Sequence, residues 1–212
     1  VIDNGYDSFS LDNTRHTLSD EPGYDRQEST SLSLQSASHF EAFELEGTLS
    51  YATTDSQYGY DEDWTYEGFH PDGYSSFDLY ERERDSVSAE IRLLSNESSR
   101  LFSDRTSWVA GLYYLANDED LDRYYTYASD FTSEYDTQTW AAFAQLDTNI
   151  SEKLTLVTGL RIENREIDYS DNNLVKFSPD KDLWGGKIAL EYQWDDTNLL
   201  YPGIAYPPRG ED

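Results

Sequence analysis

The stretch 154-LTLVTGLRIE-163 alternates with period two: Leu154, Leu156, Thr158, Leu160 and Ile162 share one parity, and Thr155, Val157, Gly159, Arg161 and Glu163 the other. Successive side chains of a strand point to opposite faces, so these two faces meet different environments. In a soluble sandwich the apolar parity covers a core and the charged parity meets water. In an outer-membrane barrel the apolar parity meets lipid and the charged one a wet lumen. The pattern recurs. Phe43, Leu45, Gly47, Leu49 and Tyr51 oppose Glu44, Glu46, Thr48 and Ser50; Val87, Ala89, Ile91 and Leu93 oppose Ser88, Glu90 and Arg92; Trp184, Gly186, Ile188, Leu190, Tyr192 and Trp194 oppose Lys187, Glu191 and Gln193.

Helical periodicity is hard to find. Strands are predicted at about 26–38, 41–60, 80–96, 106–126, 134–150, 154–168 and 183–194, with an eighth from near 198. The fold class is therefore all-β: an antiparallel up-and-down meander of about 7–8 strands, part of a β-barrel or closing as one. No run approaches the ~18 apolar residues of a membrane helix, which excludes a helical membrane protein but not a strand-built one. With no cysteine in 212 residues, disulfides and thiolate metal sites are excluded. A net charge of -28 excludes nucleic acid bound through its phosphates. Acidity alone would suggest disorder, but 18 Tyr and 5 Trp belong to a folded, strand-rich chain. Val1 reads as a processed, proteolysed or excised start.

Connections alternate in length. Short polar links fall at 37–41, 97–105, 151–153 and 195–197; between them lie long, acidic, aromatic stretches at 57–78, 117–136 and 169–182. Short turns at one rim and long loops at the other suit an outer-membrane barrel. Aromatic residues near the strand ends, such as Tyr51, Tyr58, Tyr60, Tyr80, Trp108, Tyr124, Tyr125, Trp140, Tyr169, Trp184, Tyr192 and Trp194, suit girdles at a membrane interface.

Several segments carry a resemblance: 4-NGYDSFSLDN-13, 20-DEPGYDRQESTSLSLQ-35, 83-ERDSVSAEIRLLSN-96, 107-SWVAGLYYL-115 and, most specifically, 140-WAAFAQLDTNISEKLTLVTGLRIE-163 and 183-LWGGKIALEYQWDDTNLLY-201. Together they resemble the barrel of siderophore-type TonB-dependent outer-membrane receptors. The resemblance implies a partial receptor barrel over 1–201, located in the bacterial outer membrane and contacting its lipid. It implies active uptake of a ferric siderophore or similar small nutrient by the parent receptor. That family places a plug domain and a TonB-contacting segment before the barrel. Neither is found here, so TonB contact would belong to the missing plug region and the chain would not transport alone. The family barrel also has many more strands than are counted here. After Tyr201 the chain reads 202-PGIAYPPRGED-212, whose prolines are expected to interrupt ladder pairing and make a diverged or irregular tail.

No catalytic residues emerge, and the chain does not read as an enzyme: His16, His39 and His70 are far apart, and neither HExxH nor GxSxG occurs. No cofactor is implied. The acid clusters 61–63 and 118–122 lack EF-hand spacing and are taken as solvated loops rather than metal sites. By resemblance, Tyr58, Tyr60, Trp64, Tyr66, Phe69, Tyr124, Tyr125 and Tyr127 are candidate ligand-capture residues on extracellular loops. Glu90, Arg92, Arg161, Glu163, Arg165, Lys187 and Glu191 are candidate lumen-facing residues. Two other readings remain. One is a soluble β-rich module stacking its rings on glycans or peptides. The other is a strand protein that self-associates through open edges into an oligomer or filament.

Overall fold

The computed structural model describes residues 18–209; the resembling segment 4–13, His16 and residues 210–212 lie outside them. Ten strands form one sheet. In chain order they are β1 Tyr24–His39, β2 Phe43–Asp61, β3 Phe77–Ser95, β4 Thr106–Tyr125, β5 Phe131–Ser151, β6 Leu154–Asp171, β7 Lys176–Phe177, β8 Asp180–Gln193, β9 Leu199–Leu200 and β10 Gly203–Arg209. Eight make the path β1-β2-β3-β4-β5-β6-β8-β10, every pairing antiparallel, with β7 beside β6 and β9 beside β8. The meander is as expected. No pairing joins β1 to β10, so the sheet is open and does not close as a small barrel.

Register places like with like. One row across the sheet reads Leu45, Leu93, Ala110, Ala144, Leu160, and the next Gly47, Ile91, Leu112, Ala142, Ile162, Trp184. The intervening rows, on the opposite face, read Glu46, Arg92, Gly111, Phe143, Arg161 and Thr48, Glu90, Tyr113, Ala141, Glu163. Such alternation pins register, because a one-residue slip would exchange the faces. The apolar face is the open one: Leu160 is 57% and Ile162 55% exposed, whereas Val157 is 2% and Glu163 8% exposed. The described residues hold only three buried hydrophobic side chains, Ala141, Val157 and Ala189. A sandwich core is therefore missing, and the polarity is inverted from that of a water-soluble fold.

Strand length corrects the loop expectation. Residues 117–136 are not a long loop: β4 runs to Tyr125 and β5 begins at Phe131, leaving only 126–130 as a turn. By contrast, 62–76 is a true loop, and 172–179 contains β7. The long side is long because its strands continue past the apolar zone. On β2 that zone runs from Phe43 to Tyr51, close to the ~9–11 residues needed to cross hydrocarbon. Beyond it the same parity turns acidic, and Asp85, Asp118, Asp136 and Asp168 stand in one cross-strand row.

The aromatic residues divide accordingly. Tyr51, Trp140, Tyr192 and Trp194 sit exposed on or near the edges of the apolar zone. Tyr58, Tyr60, Tyr80, Tyr125 and Tyr169 point to the opposite face and are not girdle residues. Their parity, not their nearness to a strand end, decides this.

Two local features fix the sheet. Gly111 lies under the Phe143 ring, where an added Cβ would come within 2.4 Å of that ring and 2.8 Å of the Ile91 carbonyl oxygen. At the short-turn rim, Asn96 donates through Nδ2 to the Phe40 and Glu41 carbonyls at 3.0 and 2.8 Å, tying neighbouring turns together. The C-terminal prolines interrupt the ladder, Pro202 between β9 and β10 and Pro207–Pro208 at the register shift between Tyr206 and Arg209, but the tail is not irregular: Gly203–Tyr206 pair with Ala189–Gly186. An edge strand tolerates proline there because it need not donate on its open side.

If the open apolar face meets hydrocarbon, Ile162→Arg should cost about 2–4 kcal/mol of folding stability in lipid or detergent. Ser88→Arg, on the other face, should cost less than about 1 kcal/mol. Urea unfolding titrations of both variants check this contrast.

Candidate functional site

The face opposite the apolar one carries the charges. Arg92 bridges Glu46 (2.7 Å) and Glu90 (3.2 Å). Arg161 and Arg165, two strand positions on either side of Glu163, both hold its buried carboxylate at 2.8 and 3.0 Å. Arg161 also lies 5.4 Å over the Tyr113 ring. Lys187 stands opposite Gly159 and fills the space a side chain would occupy there. Glu191 stands opposite Thr155 on the same face, nearer the short-turn end and away from the two arginine clusters. All seven residues expected on one face are there, and five of them form two ion clusters.

Towards the long-strand end, the sheet curls so that residues of β1 through β6 line one cavity of about 950 Å³. Arg82, which lines it, converges with Arg84 on Glu119. Arg82 Nε lies 2.9 Å from Glu119 Oε1, but its N–H is not aimed along a hydrogen bond, so that contact is ionic.

At the tip the rings assemble. Tyr66 meets Phe69 (centroids 5.6 Å apart), Phe69 meets His70 (5.3 Å), and His70 meets Tyr74 (5.7 Å). Tyr74 stacks on Tyr127 at 5.2 Å, and Tyr127 meets Tyr125 at 6.2 Å. The Arg123 guanidinium then lies 5.5 Å from the Tyr125 ring and 5.1 Å from Tyr80, which continues to Tyr58 and Tyr60. Loop 62–76 and turn 126–130 are clasped by Tyr127, whose hydroxyl donates to the Ser75 carbonyl (2.9 Å) and accepts from the Ser75 N–H (3.2 Å).

The anchor is Asp78, 1% exposed, which accepts two bonds from Arg123: Nε to Oδ1 at 2.9 Å and a terminal nitrogen to Oδ2 at 2.6 Å. Tyr80 and Tyr60 hydroxyls donate to Oδ2 at 3.2 and 3.4 Å. This geometry is bidentate and charge-assisted, the strong form of the contact.

Of the eight ring residues anticipated, Tyr58, Tyr60, Tyr66, Phe69, Tyr125 and Tyr127 join this series. Tyr124 does not: its parity sends it to the other face, opposite Leu79. Trp64 also stands apart, held at φ 54° while its N–H donates to Asp61. Tyr74, Asp78, Tyr80 and Arg123 were not anticipated. Tyr58, Tyr80 and Arg123 stand in one cross-strand row, as do Tyr60, Asp78 and Tyr125. Pairing β2 with β3 around the 62–76 loop would have found Asp78 and Tyr80, whereas Arg123 needs the β3–β4 register as well.

Beneath the rings, the carboxyls of Asp61 and Asp63 are pushed in opposite directions. Burial, then the neighbouring Asp63, raises Asp61. Burial also works to raise Asp63, but bonds from Asp61, Thr65 and the Ser76 N–H outweigh it and leave Asp63 lowered. Glu62 accepts from the Tyr74 hydroxyl at 2.5 Å and pushes that phenol up to about 12. These carboxylates are occupied in building the loop, and among the described residues no group of three or more metal-type side chains converges.

The family described as "TonB dependent receptor-like, beta-barrel" matches residues 2–205. Among solved structures, the ferric yersiniabactin uptake receptor FyuA from Yersinia pestis aligns with TM-score 0.69 at 15% identity, over 86% of this chain and 28% of that one. The ferric citrate transporter FecA aligns with TM-score 0.62 at 16% identity, over 86% and 27%. The ferric-catecholate import receptor Fiu from E. coli K12 aligns with TM-score 0.66 at 10% identity, over 89% and 36%. The chain thus spans roughly a third or less of these structures. At such identities they establish the fold alone. No curated protein matches the sequence.

Removing the anchor should be costly. Asp78→Ala should destabilise the folded chain by about 2–3 kcal/mol, below the ~3–5 kcal/mol of a fully buried pair because Arg123 keeps some solvent. Tyr60→Phe, which loses only the 3.4 Å bond, should cost less than about 1 kcal/mol. Thermal unfolding in detergent measures both.

Proposed function

This chain belongs to the TonB-dependent receptor-like β-barrel family, and from that premise we propose that it forms part of the wall of an outer-membrane importer of ferric siderophores or similar metal chelates. Family members are outer-membrane transporters, not enzymes. The observation that carries the reading is the inverted polarity of the sheet. A wide apolar face stands open while arginines and carboxylates pair on the enclosed one. Such a wall is stable where hydrocarbon covers one side and water wets the other.

In this reading, outer-membrane lipid covers the Leu45 to Trp184 face, and the Glu90, Arg92, Arg161, Glu163, Arg165, Lys187 and Glu191 face lines the lumen. The acidic extensions of β2 to β6 stand above the membrane, and the ring series at their tips captures the chelate. Aromatic faces suit this task because they bury apolar ligand surface while their hydroxyls stay hydrogen-bonded. TonB would act through a plug region rather than through this wall.

Cell fractionation and uptake test the assignment together. The protein should partition with the outer membrane and require detergent for release. Cells expressing the complete receptor that contains this wall should accumulate radiolabelled iron from at least one ferric chelate in an energy-dependent way. Tyr127→Ala, which unclasps the two tips, should lower that uptake severalfold. A protein recovered monomeric from the soluble fraction would refute the proposal.

A further inference from the structure

The ring-lined end discriminates by charge, an inference that rests on the chelate-capture reading above and narrows it. Three observations combine. First, the only arginine within the ring series, Arg123, is bound by both oxygens of Asp78 and lies near the faces of Tyr80 and Tyr125. Its charge and two of its donor nitrogens are thus taken up by Asp78 before any anionic ligand arrives. Second, Arg82 and Arg84, next along the same face, are both committed to Glu119. Third, the surroundings are strongly negative. Residues 57–78 hold six carboxylates and no lysine or arginine. The strands around the cavity below add eight carboxylates against two arginines, Arg26 and Arg82; of the acids, Asp171 shares the ring face and the other seven stand on the outward parity.

A ligand approaching this end therefore meets π-faces and phenols framed by the acids of the 57–78 segment, with Arg123 already paired to Asp78 and Arg82 and Arg84 sharing Glu119. Ring faces attract cations through their quadrupole. A cleft of one sign focuses its field and depletes ions of the same sign. We propose that this end admits neutral or cationic metal chelates and rejects polyanionic ones, so that the substrate class is a chelate of zero or positive net charge.

The test uses the full-length protein in detergent, with binding read from quenching of its Tyr and Trp fluorescence. The probes are an uncharged ferric trihydroxamate, the same chelate bearing an ammonium group, and a ferric tris-catecholate trianion. At about 0.01 M salt, where the Debye length is ~30 Å, the uncharged and ammonium-bearing probes should bind at least about tenfold more tightly than the trianion. Near 1 M salt the ratio should shrink severalfold as screening shortens to ~3 Å. Replacing exposed carboxylates of the rim together (Glu67→Gln, Asp72→Asn, Asp130→Asn) should narrow the low-salt ratio as well. Equal or tighter binding of the trianion at low salt would overturn the charge inference and leave chelate capture standing. Failure of every probe to bind would overturn both.

Discussion

An uninterrupted antiparallel ladder with fixed parity is the constraint on which the rest depends. From β1 to β6 and on to β8 the strands pair residue for residue over 13 to 19 positions, with one register shift, between Asn149 and Ser151. Because side chains alternate strictly, that ladder sorts leucines to one face and arginines to the other across six strands at once. No second layer covers the leucines. Cross-strand backbone bonds, row-wise contacts and the surrounding solvent carry the stability that a core supplies elsewhere. A solvent that is hydrocarbon on one side is what this arrangement needs.

The same ladder explains how the acidic extensions hold together. Asp85, Asp118, Asp136 and Asp168 stand directly opposite one another, an arrangement that like charges disfavour. They lie on exposed strand, where water and salt screen them. The other parity of the same strands compensates with Arg82, Arg84 and Glu119, then with Asp78 and Arg123 beneath the phenols. Repulsion outside and pairing inside keep the tips upright and present the rings at their ends.

The sequence carried the strands and their facing well, because alternation such as Leu160 against Arg161 is a local signal. It misled where composition overrode parity. The acids of 117–136 look like loop, yet Asp118, Asp120 and Asp122 alternate with Glu119, Leu121 and Arg123 as strand residues do. Tyr124 and Tyr125 were grouped as neighbours although neighbours in a strand face opposite ways. The Asp78–Arg123 anchor was invisible, since it joins residues 45 apart that only the β3–β4 register brings together. The prolines after Tyr201 pointed to an irregular tail, whereas an edge strand forms between Pro202 and Pro207.

The absence of natural cysteine makes the central claim directly measurable. Single substitutions Leu112→Cys, Leu160→Cys and Ile188→Cys on one face, and Ser88→Cys, Thr139→Cys and Gln145→Cys on the other, can each carry a polarity-sensitive fluorophore in lipid vesicles. The first three should report a hydrocarbon environment, quenched by lipid-borne quenchers. The second three should report water, quenched by aqueous iodide. Reversal of that pattern, or six probes all reporting water, would contradict a sheet that divides lipid from lumen.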